Sequence, residues 1–275
     1  GNGAADLIFR GVLARRPKRA LLTAPAFAEY EAALTACGCQ VERYLLREDN
    51  QFRLEEGFLE AIVPGVEMVF LCEPNNPTGI TSPRELLLQV AERCAQCGAL
   101  LMLDECFGDF LEHPEDHTLK GALAQFPHVM ILKAFTKLYA MAGVRLGYAL
   151  CADSALLEEM REAGQPWAVS SLAQAAGEAA LEEREYVEQV RQMVAQERPW
   201  MVEQLRSLGM EVVPGEANYL LFRCRIPLIQ PLRERGILLR SCSNYYGLNE
   251  TWYRTAVRTH DENIRLIQAL NEVVR

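Results

Sequence analysis

No apolar run in this 275-residue chain approaches the roughly 20 residues that a bilayer-crossing helix needs, so no membrane association is expected. Positive charge is also in short supply. Lys and Arg number 28 against 37 Asp and Glu, giving a formal charge of -9 and a sequence pI near 5.2, which argues against a general nucleic-acid surface. There are only four histidines (His113, His117, His128 and His260), and their spacing suggests no ligand set, so no metal is expected. There is no G-x-G-x-x-G pattern with a downstream acidic residue and no P-loop, which disfavours the dinucleotide and P-loop nucleotide classes. Repeats and low-complexity segments are absent as well. Nine cysteines are scattered without a secretory context, which predicts a reduced, cytoplasmic protein. Cys94 and Cys97 form a C-x-x-C, read as helix-end thiols because no thioredoxin-like context follows.

What is present is a large apolar fraction, 50% of residues, and an alternation of strand-like and helix-like stretches. "RALLTAP" (19–25), "QVERYLL" (40–46), "VEMVFLCEP" (66–74), "ALLMLDE" (99–105), "HVMILKAF" (128–135) and "RLGYALC" (145–151) read as strands. Helical patterns over 27–37 and 83–97 lie between some of them. Near-continuous apolar strands separated by helices predict a mostly parallel α/β sheet covered on both faces. From Ser170 to Gln204 the pattern is long and helical, with an interruption expected near Arg198-Pro199. A smaller α/β unit follows, closing with a helix over 261–274. The expected division is a large domain over 1–185 and a small C-terminal domain over 186–275.

Four features carry candidate chemistry. In "CEPNNPTGI" (72–80), Asn76 precedes a Pro-Thr-Gly turn; either these residues simply make the turn, or the turn holds the Asn76 amide against a ligand oxygen. Asp104 ends an intensely apolar strand, where a carboxylate is costly unless paired or facing a site, and a protonated heterocyclic nitrogen would suit it. Lys137 in "AFTKLYAMAG" is either a surface lysine or an amine able to form a Schiff base, and Arg145 after it carries a planar fork suited to phosphate. "GNGAAD" at the start would form a turn exposing backbone N–H groups at a helix start, a natural phosphate cup.

Taken together, N-P-T-G (Asn76 to Gly79), D-E (Asp104-Glu105), T-K (Thr136-Lys137) and G-V-R-L-G-Y (Gly143 to Tyr148) resemble, in order and spacing, the fold-type I pyridoxal-phosphate enzymes of the aspartate aminotransferase superfamily. The resemblance covers essentially the whole chain. It implies a large domain with a mostly parallel seven-stranded sheet plus a smaller C-terminal α/β domain, and pyridoxal 5'-phosphate as cofactor. It implies Lys137 as the Schiff-base lysine, Asp104 at the pyridine nitrogen and Asn76 at the phenolic oxygen. The backbone of Gly3, Ala4 and Ala5, with Thr136 and Arg145, would hold the phosphate. Phe27 would stack on the cofactor face, and Arg254 in "WYRTAVR" would receive the substrate α-carboxylate.

Two positions depart from the family pattern: Ala134 stands where a phosphate-binding hydroxyl is frequent, and Phe107 where many relatives carry a tyrosine that bonds the phenolic oxygen. Family members generally carry a further N-terminal segment, so such a segment is expected to be missing here, which puts the activity of this form in question. A homodimer is implied as well. Within the superfamily, "GQPWAVSSLAQAAGEAAL" (164–181), "GILLRSCSNYYGL" (236–248) and "YRTAVRTHDEN" (253–263) are more similar to the L-threonine-O-3-phosphate decarboxylases of cobalamin biosynthesis than to histidinol-phosphate aminotransferases. The run Arg240 to Tyr245 discriminates most. The expected substrate is thus a small phosphorylated amino acid that loses CO2, with transamination, or a catalytically degenerate family member, as alternatives.

Overall fold

In the computed structural model, which describes residues 1–274, the first part of the chain runs α1 (Ala4–Arg15), β1 (Arg19–Ala24), α2 (Ala28–Ala36), β2 (Gln40–Leu45), α3 (Gly57–Ala61), β3 (Met68–Cys72), α4 (Arg84–Cys97), β4 (Leu100–Asp104), β5 (Val129–Ala134), α5 (Phe135–Leu138), β6 (Gly147–Leu150) and α6 (Ser154–Glu162). The strands form one sheet in the order β2-β1-β3-β4-β5-β6, parallel throughout except for β6, which runs antiparallel to β5. Side chains alternate between its two faces. Leu22, Phe70, Met102 and Leu132 face one way, beneath Ile8 and Val12 of α1, Leu34 of α2 and Met160 of α6. Leu21, Val69, Leu101 and Ile131 face the other, against Phe58 and α4's Leu87, Val90 and Cys94. Burial on both faces explains why these strands read as continuous apolar runs rather than alternating ones. Each fully buried large apolar side chain contributes roughly 1.5–3 kcal/mol of transfer free energy.

The expected α/β class is therefore observed, with one difference in the sheet. Six strands form it, not seven. At the β6 edge the chain start makes only local pairing: the Gly1 nitrogen donates to the Gly147 carbonyl (2.9 Å) and the Gly147 N–H donates to the Gly1 carbonyl (3.0 Å). The chain then turns at Gly3 into α1, before strand length is reached.

The second part comprises α7 (Ser171–Glu182), α8 (Arg184–Ser207), β7 (Glu211–Val212), β8 (Tyr219–Arg223), α9 (Ile229–Glu234), β9 (Arg240–Ser241), β10 (Trp252–Ala256) and α10 (His260–Val274). Its four strands pair antiparallel in the order β7-β8-β10-β9. Met201 and Leu205 of α8 share a core with Leu220, Phe222, Tyr253, Leu266 and Leu270. The helix interruption lies at Glu183, not at Pro199. Pro199 sits inside the 24-residue α8, which is anchored before it by Val194, packed with Phe110 and Leu138, and after it by Met201 in the C-terminal core.

Candidate active site

Parallel strands bring their carboxyl ends to one edge of a sheet, where loops gather. Cys72 at the end of β3 lies in register with Asp104 at the end of β4, and Asp104 with Leu132 of β5. Asp104 is buried. Its two carboxylate oxygens accept from the Tyr30 hydroxyl (2.6 Å) and from the Cys106 N–H (3.0 Å). Tyr30 stacks on Phe70, their centroids 4.9 Å apart, and meets Phe27 edge-on at 5.6 Å. Burial, with the neighbouring Asp104 charge adding to it, pushes the Tyr30 phenol well above its ordinary pKa and keeps it a neutral donor.

The chain beyond β3 makes the Asn-Pro-Thr-Gly turn. Its backbone closes through the Gly79 N–H to the Asn75 carbonyl (2.7 Å), with Gly79 at φ 74°, a conformation open to glycine. The turn presents the buried Asn76. The Asn76 Oδ1 accepts from the Arg254 guanidinium and from the Tyr245 hydroxyl (3.1 Å). Its Nδ2 donates to no group among the described residues, so the amide's donor side is open to a ligand oxygen.

Lys137 lies on α5, just past β5, and is exposed into a cleft of about 590 Å³ lined also by Phe107, Asn218, Tyr219 and Arg254. The Lys137 Nζ stands 5.4 Å from the centre of the Phe107 ring, and the Phe107 and Tyr219 rings make a T-shaped contact with centroids 4.9 Å apart. The Arg254 guanidinium lies over the Tyr219 ring at 4.9 Å. Tyr219 in turn donates to the Asn75 carbonyl at 2.9 Å, fastening the C-terminal sheet to the turn that carries Asn76.

At the start of α1, Gly3 adopts φ 88° and caps the helix without a side-chain bond. A Cβ built on Gly3 would lie 3.3 Å from the Arg145 Nη2 and 3.8 Å from the Thr136 Cγ2. Arg145 itself has φ 59°, and its guanidinium donates to the carbonyls of Ala142 (3.1 Å) and Asn2 (3.2 Å). Glycine, threonine and arginine thus enclose a space that a methyl group would invade, beside the first N–H groups of α1, those of Ala4 and Ala5. Such a donor set suits an anion. Close approach is required here on both sides, because a Cβ on Gly147 would come within 2.8 Å of the Gly3 Cα.

Contacts tie the residues singled out from sequence into groups, and Lys137 and Arg254 share one cleft. Phe27 joins Asp104 through Tyr30. Asn76 joins Arg254 directly and, through Tyr219 and Phe107, the surroundings of Lys137. Gly3, Thr136 and Arg145 form the cradle. Three tyrosines in these contacts were not singled out. Tyr30 had one available signal, its position three residues after Phe27 on the same helix. Tyr245 stands inside the discriminating Arg240–Tyr245 run. Tyr219 had none, since it reads as a core residue of β8.

Behind the site, Lys133 on β5 is buried with Glu105 (3.3 Å) and Asp109 (3.0 Å). Glu105 also accepts from the Thr118 hydroxyl and the Leu119 N–H. Burial raises the Glu105 carboxyl pKa despite the Lys133 charge. Lys133 too is raised, because Glu105 and Asp109 outweigh the opposing effect of its own burial. Of the C-x-x-C pair, Cys94 on α4 faces the core, and burial pushes its thiol up to about 12.

The family model for aminotransferase class I and II matches residues 1–270. The chain is 40% identical to a threonine-phosphate decarboxylase of Salmonella typhimurium, over 100% of this chain and 76% of that protein. It is 35% identical to a histidinol-phosphate aminotransferase of Desulfitobacterium hafniense, over 100% of this chain and 77% of that protein. Among solved structures, the histidinol-phosphate aminotransferase of Clostridium acetobutylicum superimposes with a TM-score of 0.93 at 26% identity, covering 100% of this chain and 82% of that one.

Proposed function

Because this chain belongs to the aminotransferase class I and II family, we propose that it is a pyridoxal-phosphate enzyme acting at the α-carbon of a small phosphorylated amino substrate. The observation that carries the reading is the cleft lined by both Lys137 and Arg254, with Arg254 also bonded to the Asn76 Oδ1. The donor set fits the cofactor. Gly3, Ala4, Ala5, Thr136 and Arg145 would hold its phosphate, and Asn76 would donate to its phenolic oxygen. Asp104 would keep a proton on its ring nitrogen, and Phe27 would stack on it. Lys137 would supply the amine for its aldehyde. When bound, pyridoxal phosphate supplies an electron sink for charge left at the substrate α-carbon.

The chain's own residues then decide the outcome. Arg254 binds the α-carboxylate, and its stacking on Tyr219 fixes the direction of approach. The Lys137 amine would move a proton at the substrate α-carbon. Arg240, Arg258 and Arg265 rim the same cleft, with Glu262 paired to Arg258 at 2.7 Å, and their positive excess supports a phosphorylated substrate.

Two reactions suit this arrangement, and they differ in which bond at the substrate α-carbon breaks, a choice set by the direction in which the substrate is held. Transamination of the histidinol-phosphate type has the wider support among relatives, together with the Clostridium structural match. Decarboxylation of L-threonine O-3-phosphate to (R)-1-amino-2-propanol O-phosphate and CO2 is supported by the 40% identity with the Salmonella protein. A homodimer in the cytoplasm completes the reading. Trp167 and Leu172, 96% and 83% exposed, support the dimer, and the nine free cysteines support the compartment.

The deciding experiment supplies the protein and pyridoxal phosphate with L-threonine O-3-phosphate and no keto acid. CO2 and aminopropanol phosphate select the decarboxylase. Turnover of histidinol phosphate only when 2-oxoglutarate is present selects the aminotransferase. Borohydride that fixes no cofactor mass on Lys137 in folded protein would remove the enzyme reading altogether.

A further inference from the structure

We propose that Tyr245 is a positioning residue that sets the orientation of the Asn76 amide, in place of the direct donor that Phe107 lacks. Phe107 has no hydroxyl, and its ring is engaged edge-on by Tyr219 at 4.9 Å. Nothing at that position can donate to a ligand oxygen. The donation falls to Asn76 alone, and an amide donates usefully only when its NH2 faces the ligand. A side-chain amide can turn over, and its orientation is set by the partners of its oxygen. The Asn76 Oδ1 has two, Arg254 and Tyr245.

These two partners are not equivalent. Arg254 is half-buried at the cleft and carries the charge that a substrate carboxylate takes up. When Arg254 engages a carboxylate, its hold on Asn76 is shared or lost. Tyr245 carries no charge for a carboxylate to take up, and its cationic neighbour other than Arg254 is Arg240, whose guanidinium lies 5.9 Å from its ring. It is 6% exposed and packed in a small core with Ile80, Leu221, Cys242 and Trp252. Its backbone is tied at both ends, accepting from the Leu248 N–H (3.0 Å) and donating to the Cys242 carbonyl (3.0 Å). Its phenol, raised by burial, stays a neutral donor. Tyr245 therefore keeps the amide facing the ligand while Arg254 changes partners. This gives the Arg240–Tyr245 run a role that substrate contacts alone do not.

The inference rests on pyridoxal phosphate being the ligand. It is tested with the full chain by equilibrium binding of pyridoxal phosphate and by the pH titration of the bound cofactor's absorbance, neither of which needs turnover. Tyr245→Phe keeps the packing. It is expected to weaken cofactor binding about threefold to tenfold, the effect of one lost orienting hydrogen bond. The titration midpoint is expected to rise, because a donor to the phenolic oxygen favours the deprotonated form. Asn76→Ala should show the same changes, and the double variant Tyr245→Phe/Asn76→Ala should be no worse than Asn76→Ala alone. Additive losses, or an unchanged midpoint in folded Tyr245→Phe, would overturn the proposal while leaving the cofactor reading intact. Failure of the unaltered chain to bind pyridoxal phosphate would remove both, a result distinct from either.

Discussion

Gly79 and Gly215 meet backbone to backbone between the two sheets. A Cβ on Gly215 would lie 2.6 Å from the Thr78 carbonyl oxygen and 2.9 Å from the Gly79 Cα. The neighbouring Glu216 N–H donates to the Gly79 carbonyl at 2.7 Å, and the Thr81 hydroxyl donates to the Glu216 carboxylate at 2.7 Å. The turn that presents Asn76 is thus clamped from the C-terminal side. Gly215→Ala forces backbone apart rather than a flexible side chain. It is expected to cost about 1–3 kcal/mol, read as a lowered urea midpoint with unchanged m.

Just before that turn, Glu73 is buried against Ser82, accepting from its N–H (2.8 Å) and its hydroxyl (2.5 Å). Burial raises its carboxyl from 4.5 to about 8, although the Ser82 bonds oppose the rise. The folded form therefore holds a proton that the unfolded chain has released over this interval. Its contribution to stability is full below pH 4.5 and declines as pH rises toward about 8. Glu73→Gln removes the titration. The melting temperature of this variant should fall less steeply than that of the unaltered protein across that window; parallel curves would count against the assignment.

Lys133 is the cation paired with both the buried Glu105 carboxylate and the partly exposed Asp109 carboxylate. Lys133→Met leaves the Glu105 and Asp109 carboxylates without it and should destabilise the fold by about 3–5 kcal/mol in chemical denaturation. Adding Glu105→Gln should restore part of that loss, since the uncompensated buried charge, rather than the missing bond, dominates the cost. A double variant no more stable than Lys133→Met would contradict this account.

Gly3→Ala and Arg145→Ala affect the cradle differently. The alanine at Gly3 both intrudes on the guanidinium and strains a backbone at φ 88°. Loss of Arg145 removes a charge-assisted donor, worth about 1.5–3 kcal/mol. Both variants should weaken pyridoxal-phosphate binding at least tenfold by fluorescence titration. Phosphate ion in the buffer should compete with the cofactor in the unaltered protein and lose that effect in Arg145→Ala.

The linear order of residues determined the architecture and singled out the candidate site residues. Apolar runs without alternation required strands covered on both faces, and Asp104, Lys137 and Arg145 stood out because charges at the ends of such runs need a partner or a ligand. The expected break at Pro199 does not occur, because Val194 and Met201 anchor α8 in two separate cores before and after it, contacts that only the fold provides. Lys133 was passed over as one residue of an apolar strand; only the fold brings Glu105 and Asp109 to it. The same holds for Tyr245 and Asn76, separated by 169 positions and joined by one hydrogen bond. Residue types and spacing reveal which groups are present at strand ends. Which oxygen each donor meets is decided by contacts distant in sequence, and only the tertiary structure sets those.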